Sequence, residues 1–461
     1  MVLQHGIHDD RGQFLKERVD LPYAIFLSGT AALGGLLFGF DIGIIAGAGP
    51  FLMQYFQLTD LSMGWAFSSL LFGCAVGSGV AGRLADRYGR RSVLLWVATL
   101  FAVTSLGTGL APSFTTFVMA RFVGGLAVGA VSLVSPMYIS EVAPPSLRGR
   151  LTAFYQLSIV TGAVVSYFLN YLLRNIGMNN WRWMFISGAV PSFLFFVLLV
   201  LAPETPRYLM MAGKRERAAA ILTRIAGANQ AEIELSEIEA SLSGKRGSWR
   251  DLMQPGIRRA VGVGFALAIL VQVSGINTIV DYAPIIFRSA GWGLDAALFS
   301  TLVLGLANFA FTLVSFRFID HSGRKPLYIV GSLGMTITLL LLAATVVAGH
   351  FRGLAVLVLI LAYLAFFESC IGPVFWTIVP EIFPNNIRGT AMTVPVLTQW
   401  VANAFVVLFF PAAFHTLGKA FTFGFLAVMA FAQALCAWLF VPETKNKTLE
   451  EIERLWLPEA S

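Results

Sequence analysis

The chain has 461 residues, of which 57% are hydrophobic and only 12% charged, and its formal net charge is +7. Soluble domains carry about 25% charged residues, so this composition excludes an ordinary soluble enzyme. No basic stripe is interleaved with aromatics, so the positive charge does not point to nucleic acid. Cys74, Cys370 and Cys436 each lie in an apolar run without metal or disulfide spacing, and read as small buried hydrophobes. There is no Walker loop, dinucleotide-binding loop or metal-ligand cluster. No ATP hydrolysis, redox chemistry or cofactor is therefore expected, and the chain does not read as an enzyme.

The first 20 residues are polar and contain no apolar core of a signal peptide, so insertion is expected to begin with the first span. Apolar segments then run at 22–48, 62–82, 92–111, 115–138, 151–173 and 183–202. A polar stretch follows. Six more apolar segments run at 258–288, 296–318, 326–349, 353–379, 390–414 and 420–441. Each is near the roughly 20 residues a helix needs to cross hydrocarbon. The expected fold is an all-α membrane protein of twelve transmembrane helices in two pseudo-symmetric six-helix halves. Its parts are an N-terminal segment 1–21, a half 22–202, a linker 203–257, a half 258–442 and a tail 443–461. Residues 214–242 have helical periodicity broken near Gly227, which predicts a small helical linker domain.

If both termini are cytoplasmic, all of the 32 Lys and Arg lie on or at the edge of that side except Arg121, Arg174, Arg182, Arg288, Arg352 and Lys419. That bias orients the chain and explains its basic charge as topogenic. The expected location is a multi-pass position in a cell membrane.

Three motifs repeat in the same order in the two halves. GRLADRYGRR at 82–91 answers FRFIDHSGRK at 316–325, EVAPPSLRG at 141–149 answers EIFPNNIRG at 381–389, and PET at 203–205 recurs at 442–444. A duplicated six-span unit is the natural reading, with a solute site between the repeats near the midplane. Asp86 and Arg90, like Asp320 and Arg324, are placed to pair across a turn. Glu141 with Arg148, and Glu381 with Arg388, sit where spans meet the cytoplasm. The duplication favours reading these charges as a two-sided latch that holds the halves together.

These motifs, with RFVGG, SPMYIS, PETPRYL, SGIN, GPVFW and the closing PETKNKTLEEI, resemble the sugar porter family of the major facilitator superfamily over essentially the whole chain. Within that family the chain resembles bacterial proton–monosaccharide symporters. The resemblance implies the major facilitator fold, a bacterial inner membrane, alternating access and, by the family's default, a monomer.

Asp41 lies in the first span and Arg121 in the fourth, at similar depth. Ionisable groups there are expensive and functional by default. An Asp beside Arg⁺ stays ionised, and one separated from it in a dry setting takes up a proton. The pair is therefore the expected proton-coupling site, and the resemblance implies that Asp at position 41 marks a proton symporter. Hydroxyl-rich solutes suit amides, which both donate and accept, and an aromatic face. The candidates are Gln156, Gln272, Asn277, Asn308, Glu368, Trp376, Gln399 and Asn403, all at positions the resembling family uses to line its sugar site. Trp400 reads as packing.

The chain also departs from the family. Val271 replaces one of two adjacent glutamines, Ala163 stands where some xylose symporters have Gln, and Asp281–Tyr282 replaces a tyrosine pair that implies an outer gate. Asp281 reads as vestibule or gate charge, as a second proton site, or as a partner for an amino group. The first is favoured. The expected function is proton-coupled import of a monosaccharide or polyol. A coupled carrier of an amino sugar or hydroxy acid, or a facilitative sugar uniporter, is the alternative. Only about 20 residues follow the last span, which argues against a sensor.

Overall fold

Long apolar runs punctuated by glycine and capped by short polar residues give helices throughout, with no strand among the described residues. The structure is a computed structural model, and it describes residues 20–144, 147–243, 249–383 and 387–443. The first half contains α1 (Leu21–Phe56), α2 (Asp60–Tyr88), α3 (Arg90–Gly109), α4 (Phe114–Val142), α5 (Arg148–Leu173), α6 (Asn180–Ser187) and α7 (Ala189–Leu201). The linker forms α8 (Pro206–Met211), α9 (Arg215–Ala226) and α10 (Ala228–Ser243). The second half contains α11 (Pro255–Val273), α12 (Ile276–Asp281), α13 (Ala283–Ser289), α14 (Leu294–Ser322), α15 (Arg324–Val347), α16 (Gly353–Cys370), α17 (Gly372–Glu381), α18 (Arg388–Ala412) and α19 (Lys419–Phe440). Twelve candidate spans are long and apolar enough to cross a membrane, and the protein is a multi-pass, all-α membrane protein.

Several helices outrun their apolar segments because backbone hydrogen bonding continues past the hydrocarbon. Others are shorter than expected. The sixth span breaks at Gly188, the tenth at Ile371, and the seventh at Gly275, whose φ is +93°. Such breaks are tolerated at membrane depth where neighbouring groups take up the freed backbone. At the Gly275 break the Tyr363 hydroxyl donates to the Ser274 carbonyl at 3.0 Å.

The repeated motifs form one device in each half. Gly89 (φ +96°) ends α2 and Gly323 (φ +82°) ends α14, each starting the next helix at once. The Glu204 carboxylate accepts from the backbone N–H groups of Arg91 (3.0 Å) and Ser92 (3.4 Å). Glu443 accepts from those of Arg324 and Lys325, both at 3.1 Å. The PET glutamate thus caps the helix that the GR motif begins, where the helix dipole favours an anion. A side chain on either glycine would run into that carboxylate. Arg91 returns the contact by donating to the carbonyls of Leu199 (2.9 Å) and Val200 (2.8 Å) at the end of α7.

The linker helices share a small core of Leu209, Ala218, Leu222, Ala231 and Leu235. They dock on the first half through Arg224, which donates to Asp20 at 3.0 Å and covers the Tyr23 ring.

Among the described residues, the latch charges make their contacts within their own half. Arg90 pairs with Asp86 and Glu141 of its own half, both at 3.1 Å, and Arg324 reaches Glu381 of its own half at 3.8 Å. Arg388 donates to the Phe383 carbonyl at 3.2 Å. Arg148 is exposed and faces the linker, where it opposes the upward push that burial gives the Glu234 carboxyl. The side chain of Asp320, most of segment 1–21 and most of tail 443–461 lie outside the described residues.

The seam between the halves closes at the end far from the linker. There Arg174 pairs with Asp295 at 2.7 Å and Asp60 meets His415 at 2.7 Å. Phe67 stacks on Tyr282 with centroids 4.3 Å apart, and Phe72 meets Phe405 edge-on at 5.5 Å. With the far ends together, the described motif charges at the linker end find partners in their own half.

At Gly64 of α2 a Cβ would land on the Leu408 carbonyl of α18. Gly64→Val is therefore expected to hold the far ends apart. A cysteine placed near Tyr282 should be labelled from the far side at least severalfold faster, and an unchanged rate would refute this.

Candidate solute and proton site

Arg121 is carried by α4 with only 2% exposure and points at α1. Its Nη1 donates to Asp41 Oδ1 at 2.6 Å and, at 3.5 Å, to the Asp41 carbonyl. This is a short, charge-assisted contact between two groups of the same half. The guanidinium also lies 5.4 Å from the Phe185 ring centre, and its Nε and Nη2 are buried without a partner.

A small cavity begins at that guanidinium. Its wall includes Ile42, Phe67 and Leu71 from the first half, and Asn277, Asp281 and Asn403 from the second. The structure therefore brings Arg121 together with two of the amides singled out in the sequence. Asn277 Nδ2 donates to Gln272 Oε1 at 2.8 Å across the Gly275 break, which ties α11 to α12. Gln399 Oε1 and Asn403 Oδ1, one turn apart on α18, are buried acceptors without a donor. Acceptors left open in this way suit a hydroxylated ligand.

A second cluster joins α14 to α16. Asn308 Nδ2 donates to Glu368 Oε1 at 2.9 Å, and Thr312 Oγ1 reaches Glu368 Oε2 at 3.4 Å. Sequence reasoning missed Thr312. Its position one turn beyond Asn308 was the available signal. Gln156 is half-buried on α5. Trp376 is 46% exposed, with its ring edge-on to Phe375 at 5.3 Å. Neither lines the small cavity. Trp400 is buried and rests against Phe38 of the opposite half at 5.7 Å, as expected of packing.

Asp281, read as vestibule or gate charge, adjoins Tyr282 at the seam between the halves. It is 5% exposed and lines the cavity with Arg121. It ends the short α12 that follows the Gly275 break, one turn beyond Asn277. Tyr282 ends the same turn. Its hydroxyl donates to the Val407 carbonyl at 3.0 Å, and its ring lies between Phe67 and Phe410. It crosses the seam to Phe67, a residue of the cavity wall.

The model of the sugar (and other) transporters matches residues 27–456. The chain belongs to that family. It is 39% identical to an arabinose-proton symporter of Bacillus subtilis, over 95% of this chain and 96% of that one. It is 38% identical to a D-xylose-proton symporter of Escherichia coli, with the same coverage. Among solved structures, the inward open conformation of the E. coli xylose transporter XylE aligns with a TM-score of 0.84 at 35% identity, covering 94% of this chain and all of that one. XylE bound to 6-bromo-6-deoxy-D-glucose aligns with a TM-score of 0.78 at 36% identity, covering 95% of this chain and 99% of that one. The family and the twelve-span fold are those that the sequence motifs imply.

Asn308→Ala removes the nearer donor to a buried carboxylate. An unsatisfied buried acceptor costs about 1–3 kcal/mol, so the variant should melt at a lower temperature in detergent. An unchanged melting temperature would show that the contact does not hold α14 to α16.

Proposed function

We propose that this protein is a proton-coupled symporter that imports a monosaccharide or related polyol by alternating access. The observation that carries the reading is the buried Asp41–Arg121 pair, whose guanidinium lines the same cavity as Asn277 and Asn403. A proton taken by Asp41 weakens its hold on Arg121, and Arg121 lies on the wall that the solute amides share. Proton loading and solute binding therefore act on one set of contacts. The relatives named as arabinose- and D-xylose-proton symporters support this direction.

In this reading Gln156, Gln272, Asn277, Asn308, Glu368, Gln399 and Asn403 supply or orient polar contacts to the solute, and Trp376 covers its C–H face. Tyr282 gates the far side. The motif charges would latch the linker side when the halves close there. The two halves, 22–202 and 258–442, rock about the site, and the positive-inside bias makes the linker side cytoplasmic in a bacterial inner membrane. The working unit is a monomer, and it moves its solute without chemical change.

The test is uptake into proteoliposomes of a panel of pentoses, hexoses, polyols and amino sugars, with and without an inward proton gradient. Accumulation of a sugar or polyol only with the gradient is expected. No gradient-driven uptake of any member would overturn the reading. Asp41→Asn should abolish accumulation while sparing counterflow. Trp376→Ala should raise the KM for the transported solute up to about tenfold, the scale of one lost aromatic face, and an unchanged KM would remove Trp376 from the site.

A further inference from the structure

The proton pair described above does not use Asp281. This carboxylate ends α12, is 5% exposed, and makes no hydrogen bond or ion pair among the described residues. Arg121 lines the same cavity. Arg121 gives Nη1 to Asp41 and keeps Nε and Nη2 buried and unpartnered. One guanidinium therefore faces two carboxylates, one from each half of the molecule.

The two relationships respond differently to the rocking of the halves. Asp41 and Arg121 both belong to the first half, so their separation is kept when the halves move as bodies. Asp281 belongs to the second half and adjoins the Tyr282–Phe67 stack that seals the far side. Opening the far side carries Asp281 away from Arg121. Its attraction to Arg121 therefore operates when the far side is closed.

We propose that Arg121 exchanges carboxylates during the cycle, passing from Asp41 to Asp281 when Asp41 takes up a proton. The proton converts Asp41 to a neutral acid that no longer holds the cation, and Asp281 then binds Arg121 across the seam. Loading the proton thereby favours closure of the far side. When Asp41 releases its proton toward the linker side it reclaims Arg121, and Asp281 lets the far side open. Asp41, Arg121 and Asp281 together are negative without the proton and neutral with it.

The other groups facing this trio do not compete for the cation. Cys74 on α2, Tyr167 on α5 and Tyr282 beside Asp281 are neutral near pH 7 by their ordinary chemistry. Glu368 on α16 is engaged by Asn308 and Thr312 of α14. From α18 the cavity receives the uncharged Asn403.

The proposal rests on Asp41 being the coupling site, so its test needs neither solute nor gradient. Ile176 and Leu417 are exposed residues at the far end, one in each half. In a cysteine-free background, spin labels at Ile176→Cys and Leu417→Cys report the far-side distance by double electron–electron resonance. Asp41→Asn, a mimic of the loaded acid, should raise the closed fraction, and adding Asp281→Asn should reverse that rise severalfold. Asp281→Glu, which keeps the charge, should behave as the unaltered protein. If Asp281→Asn leaves the closed fraction of Asp41→Asn unchanged, or if Glu and Asn act alike, the exchange does not occur. A lack of proton-driven uptake by the unaltered protein would instead count against the symport reading, independently of the distances.

Discussion

Hydrocarbon supplies no hydrogen bonds, so each polar group carried into the bundle must find its partner inside the protein. Arg121 shows how this constraint organises the molecule. Its guanidinium stays in the membrane interior by pairing with a carboxylate, here Asp41, and the pair ties α1 to α4 beside the cavity that Asn277 and Asn403 line. The broken seventh span follows the same rule. Once Gly275 interrupts the helix, Tyr363 takes up the Ser274 carbonyl and Gln272 pairs with Asn277. The break places Asn277 and Asp281 on the cavity, so the irregular backbone and the site are one feature.

Glu204 and Glu443 apply the same logic at the helix ends. Each caps a helix whose preceding glycine permits an immediate reversal of direction. The device ties the end of each half back to its second and third helices. It gives each half an internal brace at the linker side, independent of the other half, and such units can rock as bodies. At the other end the halves meet through stacked rings and small-residue contacts, Phe67 on Tyr282 and Gly64 on Leu408. Two ion pairs, Arg174–Asp295 and Asp60–His415, also cross the seam there, while the ionic contacts described at the linker side lie within each half.

The sequence alone determined the number of spans, the duplication and the residue types of the site. Apolar runs have the length of a membrane, charges avoid them, and motif spacing survives duplication. It also placed Asp41 and Arg121 at one depth, because depth follows from counting residues along a helix. It did not reveal partners. The PET and GR motifs were legible as separate markers, yet Glu204 and Arg91 meet only through folding. Arg324 of α15 reaches Glu381 of α17 at 3.8 Å, a pairing that neither motif reveals by itself. Asp281 lies one turn beyond Asn277 on α12, as the spacing implies, but that this face meets Arg121's cavity depends on the packing of α2, α16 and α18 around the Gly275 break. Periodicity and composition are properties of a segment and can be read from it. Pairing across helices is a property of the assembled bundle, so tertiary structure decided it.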